Sequence, residues 1–125
     1  QIIMESSEED GGVDCLGLIQ GKTVHFEFDD ENITIPQMGW NQVNTQIDHP
    51  VFKDIPNGSN FYFVHSYYPQ PANENSALAK TDYAGLAFTS AITQGNLVAT
   101  QFHPEKSGRH GLQLLKNFSQ WDGKL

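Results

Sequence analysis

A chain of 125 residues, 38% hydrophobic and 11% aromatic, has the length and apolar content for one core and is far from a disordered composition. Seven basic against fifteen acidic residues give a formal charge of −8, which removes the electrostatic basis for nucleic-acid binding. The single cysteine cannot form an intrachain disulfide and no apolar stretch is long enough for a signal peptide or membrane span, so the cytoplasm is the expected compartment.

In chain order, Ile2 to Met4 with the acidic residues that follow reads as the tail of a helix, ended by Gly11-Gly12. Lys22 to Phe28 alternates and reads as a strand, Asn32 to Pro36 as a second short extended piece, and Gly39-Trp40-Asn41 as a loop. Phe61 to Tyr67 is apolar or aromatic on both faces, which predicts a buried strand. Pro69 to Asn75, rich in Pro and Asn, predicts a surface loop. Tyr83 to Thr93 and Leu97 to Gln101 read as strands joined by a hairpin at Gln94-Gly95-Asn96. Gly108 to Trp121 reads as a helix, with Leu112, Leu115 and Phe118, and Leu114 and Trp121 beside them, as the stripe that packs on the core. The acidic residues Glu5, Glu8, Glu9, Asp10 and Glu27, Asp29, Asp30, Glu31 read mostly as a solvated face and a polar loop.

The chemistry concentrates in Gln101-Phe-His103-Pro-Glu105-Lys106-Ser107. Pro104 disfavours helical geometry at His103 and favours an extended one, in which residues two apart face the same way. Glu105 would then orient His103, fix its tautomer and stabilise its imidazolium, as the third member of a nucleophilic triad does. Taken alone, the same tripeptide also reads as a turn at a strand end. The setting between a strand and a helix favours a site, because open α/β sheets place function on such loops. The run contains no obvious nucleophile.

Gln-Phe-His-Pro-Glu-Lys-Ser followed by Gly-Leu-x-Leu-Leu-x-Asn-Phe resembles the C-terminal signature of class I glutamine amidotransferases. Two further blocks, Pro36-Gln37-Met38-Gly39-Trp40-Asn41 and Phe61-Tyr62-Phe63-Val64-His65-Ser66-Tyr67, resemble the glutaminase subunits of imidazole glycerol phosphate synthase, from about Gln1 to Trp121. The resemblance implies an α/β fold, the C-terminal half of a flavodoxin-like amidotransferase domain over residues 1–125, strand-rich with a C-terminal helix and without its N-terminal half. It implies a Cys-His-Glu triad in which His103 is general base and acid and Glu105 orients it. Glutamine is the implied substrate, no cofactor is implied, and ammonia passes to the cyclase subunit. Gln1, Glu9 and the backbone at Ser66 and Tyr67 match substrate-binding positions, and Trp40 and Lys106 match positions toward the cyclase. The family usually has histidine where this chain has Gln37.

Gln1 matches the last residue of the family's Gly-x-Cys-Leu-Gly-Met-Gln elbow, so the nucleophile and the oxyanion-forming loop are expected ahead of it. The isolated chain is then expected to lack glutaminase activity and to expose apolar surface, covered by self-association or by a complementing N-terminal piece. The alternative is a non-catalytic remnant or interaction module. Cys15, in Val13-Asp14-Cys15-Leu16-Gly17, lacks an elbow pattern and reads as a free structural thiol. His65 reads as a core histidine that supports the site. His25, His49 and His110 have no metal-ligand spacing, so no metal is expected.

Overall fold

Phe26, Phe61, Phe63 and Phe88 are all buried, and each contributes about 1.5–3 kcal/mol by leaving water. The strands are arranged around them. The computed structural model describes residues 1–125. Nine strands, β1 (Ser6–Ser7), β2 (Val13–Asp14), β3 (Gly21–His25), β4 (Gln37–Thr45), β5 (Ser59–His65), β6 (Tyr67–Pro71), β7 (Ala77–Tyr83), β8 (Leu86–Gln94) and β9 (Leu97–Thr100), precede one helix, α1 (Gly108–Gln120). They form two sheets, ordered β2-β1-β3-β6 and β5-β4-β7-β8-β9. Only β1 and β3 run parallel. The main core joins Phe26, Val43, Phe61, Phe63, Leu78 and Phe88 with Phe102 and Leu114, which tie the loop after β9 and the helix to the sheets.

The Gln94-Gly95-Asn96 hairpin forms as expected, with Gln94 opposite Leu97. The strand before it is shorter than its apolar run. Ala84 and Gly85, both at positive φ, make a two-residue turn that ends β7 at Tyr83 and starts β8 at Leu86. The strand expected over Lys22 to Phe28 ends at His25, and Phe26 and Phe28 continue into the core outside the ladder.

Six expectations are corrected. Residues after Met4 form no helix, because their backbone is drawn onto β3: Glu5 N–H donates to the Gly21 carbonyl at 3.1 Å and Glu8 N–H to the Thr23 carbonyl at 3.0 Å. Asn32 to Pro36 is turn rather than extended strand, with Ile33 N–H closing on the Asp30 carbonyl. Gly39-Trp40-Asn41 lies inside β4, where pairing with Phe63, Tyr62 and Phe61 overrides the local loop signal. Phe61 to His65 is buried on one face only, since Tyr62 and Val64 alternate outward, and the segment from Tyr67 to Pro71 is a separate strand where the loop beginning at Pro69 was expected.

The sixth correction concerns α1. The helix spans the expected residues, yet it buries Gly111, Leu114 and Asn117 and leaves Leu112, Leu115 and Phe118 exposed at 66%, 42% and 50%. Asn117 holds the inward face by donating to the carbonyls of Val51 (3.0 Å) and Lys53 (2.7 Å). Those carbonyls lie within and just after a short 3-10 turn, Pro50–Phe52, whose Val51 N–H donates to His49 Nδ1. Burial lowers the His49 pKa, which favours the neutral ring that this acceptor role needs.

Candidate active site

β9 ends at Thr100, and the chain then crosses to the free edge of β5. His103 N–H donates to the Tyr62 carbonyl at 3.0 Å. Tyr62 N–H in turn donates to Ser107 Oγ at 2.9 Å, while Ser107 Oγ–H donates to the His103 carbonyl at 2.6 Å. One strand residue therefore holds both ends of the loop. Phe102 anchors it from below, buried against Phe61 and Phe63.

Within this clamp His103 is extended, at φ −103 and ψ 98, as Pro104 demands. Its Nδ1 lies 2.7 Å from Glu105 Oε1. An acid this close is an acceptor when ionised, so the proton of the neutral ring sits on Nδ1 and the Nε2 lone pair is directed elsewhere. The Glu105 pKa is lowered, first by a hydrogen bond from its own backbone and then by the one from His103. Both side chains are partly solvent-exposed, at 38% and 56%.

His65 stands behind this pair, buried, with Nδ1 2.7 Å from the Tyr67 carbonyl and Nε2 2.7 Å from the Gln37 side-chain amide. Burial chiefly lowers its pKa, partly offset by the Tyr67 bond, and the charge of His103 lowers it further. A carbonyl can only accept, so Nδ1 carries the proton and Nε2 must accept. The Gln37 amide is placed with Oε1 toward the ring, and a proton on Nδ1 requires that amide to be turned so that its NH2 donates to Nε2.

The Tyr67 carbonyl also accepts from Gln1 Nε2 at 3.0 Å, and Gln1 Nε2 donates to Gln101 Oε1 at 2.9 Å. Gln1 is thus tied to the strand that leads into His103. Ser66 joins β5 to β6, half-buried, with its carbonyl taken by Phe26 N–H. Trp40 packs edge-on against Tyr62 at 6.1 Å and is exposed on the outer face of β4, so it and exposed Lys106 flank the His103 loop.

Glu9 is not drawn into this group: it occupies an exposed 3-10 turn, Glu9–Gly11, and makes no ion pair. Cys15 is a free thiol on another segment, with its N–H bonded to the Glu5 carbonyl. Sequence reasoning missed the partners Gln101 and Tyr62. The position of Gln101, two residues before His103 on the same extended run, was the available signal. A cleft of about 740 Å³, lined by Lys22, Gln70, Lys80 and Phe88 among others, is not at His103. No cluster of three or more His, Cys, Asp or Glu converges to hold a metal, and no helix is long and apolar enough to cross a membrane.

The strand-rich α/β fold and the His-Pro-Glu loop define a class, and the family model of class I glutamine amidotransferases matches residues 11–121. The chain belongs to that family. It is 48% identical over 128 residues to the imidazole glycerol phosphate synthase subunit HisH of Pseudomonas syringae pv. syringae, covering 99% of this chain and 60% of the relative. Against the HisH subunit of Acinetobacter baylyi it is 51% identical over 123 residues, covering 98% and 59%. The chain therefore spans about 60% of the length of these curated relatives. Among solved structures, a GMP synthase subunit from Thermoplasma acidophilum shares the fold, with a TM-score of 0.58 at 18% identity over 78% of this chain and 46% of that one.

Proposed function

We propose that this chain carries the base and its orienting carboxylate of a glutaminase site that supplies ammonia to the cyclase subunit of imidazole glycerol phosphate synthase. The observation that carries the reading is the 2.7 Å contact from Glu105 to His103 Nδ1, which leaves Nε2 to accept a proton. A cysteine thiol gives its proton to Nε2 as sulfur attacks the side-chain amide carbon of glutamine. The imidazolium, stabilised by Glu105, then protonates the departing nitrogen, and ammonia leaves with a thioester behind it. Water attacks the thioester while Nε2 takes its proton, and glutamate and the thiol are released.

The thiol and the oxyanion-stabilising amides belong to the part of the relatives' length that this chain does not span. Gln1 and the Ser66 and Tyr67 backbone hold the substrate glutamine, Glu9 on its separate exposed turn is left out of that contact, and Trp40 and Lys106 face the cyclase. The Gln1 bonds to Tyr67 and Gln101 support this placement, because they put the residue matching the end of the elbow on the strand leading to His103. The cytoplasm follows from the biosynthetic role.

The test is glutamine-dependent ammonia release, measured on the chain alone and on the chain joined to the remaining stretch of a HisH relative. The chain alone should release none. The joined protein should be active and lose about 10²–10⁴-fold on His103→Ala. Activity of the isolated chain, or a joined enzyme indifferent to His103→Ala, would overturn the reading. The other reading, a non-catalytic interaction module, draws on the exposed Trp40 and Lys106 beside the loop. It requires cyclase binding without ammonia release from the joined protein.

A further inference from the structure

The side-chain amide of Gln1 has two hydrogens, and both are engaged. One goes to the Tyr67 carbonyl at 3.0 Å and the other to Gln101 Oε1 at 2.9 Å. A backbone carbonyl can only accept, so the Tyr67 bond fixes which way the Gln1 amide faces. Gln101 must then offer its oxygen, since two NH2 groups cannot pair. The Tyr67 carbonyl has both lone pairs taken, by Gln1 and by His65 Nδ1, and the Ser66 carbonyl already accepts from Phe26 N–H. What Gln1 has left is Oε1, an acceptor with no protein donor. Gln101 stands two residues before His103 on one extended run, with buried Phe102 turned the other way, so it shares a side with the base.

We propose that Gln101 is the positioning residue that makes this site select a carboxamide over a carboxylate: it holds the Gln1 amide with Oε1 outward, to accept from the NH2 of the substrate's side-chain amide. Glutamine offers that hydrogen. Glutamate, the product, presents a carboxylate oxygen to Oε1 instead, and two acceptors facing one another leave both unpaired. The contact that draws in the substrate therefore also helps the product leave. Without Gln101 the Gln1 amide keeps one bond, to Tyr67, and is free to turn its NH2 toward the ligand, which suits a carboxylate as well as an amide. The proposal rests on the reading of Gln1 as a substrate contact and goes beyond it by naming the residue that sets which atom of Gln1 is offered.

Calorimetric binding of glutamine and of glutamate tests this on the full chain joined to the remaining stretch of a HisH relative, with His103→Ala to suppress turnover. Gln101→Leu and Gln101→Glu are compared with that parent. The parent should bind glutamine more tightly than glutamate. Gln101→Leu should narrow the preference by up to about tenfold, the worth of one hydrogen bond, whereas Gln101→Glu keeps an acceptor for Gln1 Nε2 and should keep the preference. Equal weakening of both ligands by Gln101→Leu would make the residue merely structural and overturn the proposal. So would a parent that binds the two ligands alike, or a Gln101→Glu variant that behaves as the leucine does. Ammonia release is read separately with His103 intact. A preference narrowed by Gln101→Leu in a joined protein that releases no ammonia would sink the glutaminase reading and leave the role of Gln101 standing; ammonia release with an unmoved preference would do the reverse. A parent that binds no glutamine would overturn both.

Discussion

Replacing Gly111 by alanine sets two known effects against each other at one atom. Alanine in a helix interior is favoured over glycine by about 1 kcal/mol, and Gly111 is not at a positive φ, so backbone conformation raises no objection. A Cβ built there would lie 1.9 Å from the Pro104 carbonyl oxygen and 2.9 Å from Ser107 Cβ. Relief requires the helix and the loop to part by roughly 1 Å or more, since non-bonded carbon contacts settle near 3.5 Å. The obstacle is the backbone of the His103 loop, which cannot rotate away as a side chain could. Overpacking of this kind costs about 1–3 kcal/mol, and it outweighs the propensity gain. We expect Gly111→Ala to lower the unfolding free energy by a net of up to about 2 kcal/mol, read as a lower urea midpoint with an unchanged m-value. In the joined enzyme the displaced loop should cost on the order of 10²-fold in kcat, because a shift of about 1 Å suffices for that. A variant more stable by about 1 kcal/mol, with the His103 ring resonances unmoved, would show that the loop yields freely and that the close approach holds nothing in place.

Gln37→Leu should cost about 1–3 kcal/mol by leaving buried His65 Nε2 without a donor, while Gln37→Glu should move the His65 titration upward; imidazole nitrogen and carbon shifts read both, and an unchanged His65 titration in the glutamate variant would refute the pairing. His49 has a folded pKa below its ordinary 6.5 because it is buried, so the unfolded chain takes up the proton first. Its contribution is complete above 6.5 and is lost as pH falls from 6.5 to the folded value, by up to about 1.4 kcal/mol per pH unit. His49→Asn, which keeps a cap acceptor for Val51 N–H, should remove that share of the slope in denaturation curves; an identical pH dependence would contradict it. Trp40→Ala should change stability by no more than about 1.5 kcal/mol and weaken cyclase binding at least about tenfold by calorimetry, and undiminished binding would remove Trp40 from the interface.

What could be read from the sequence was what neighbouring residues decide between themselves. Pro104 sets the backbone at His103, and a residue two along an extended segment reaches the same side, so the pair with Glu105 forms as read. Gln94-Gly95-Asn96 likewise carries its turn locally. The errors fall where a distant strand decides. Gly39 to Asn41 has loop residues but pairs with Phe61 to Phe63, well beyond the reach of a local pattern. Residues after Met4 have a helical look but their amides go to Gly21 and Thr23. On α1 the periodicity located the helix and took Leu112, Leu115 and Phe118 inward with Leu114, of which only Leu114 is buried, because hydrophobicity ranks all four above a glycine and an asparagine. Gly111 is inward because only it admits the Pro104 carbonyl, and Asn117 because two carbonyls need its amide.

Those two choices make α1 a support for the chemistry. Its inner side touches the backbone at Pro104, between His103 and Glu105, while Leu112, Leu115 and Phe118 stay exposed beside it. An element covered on one side opens locally more easily than one covered on both, so the loop pressed against Gly111 shares in any fraying of the bare helix. What holds α1 therefore also holds the base. Asn117→Ala, which removes the bonds to the Val51 and Lys53 carbonyls, should speed hydrogen exchange at Gly111 and Leu114 and broaden the His103 ring resonances. Faster exchange with unmoved His103 resonances would separate the helix from the geometry of the site.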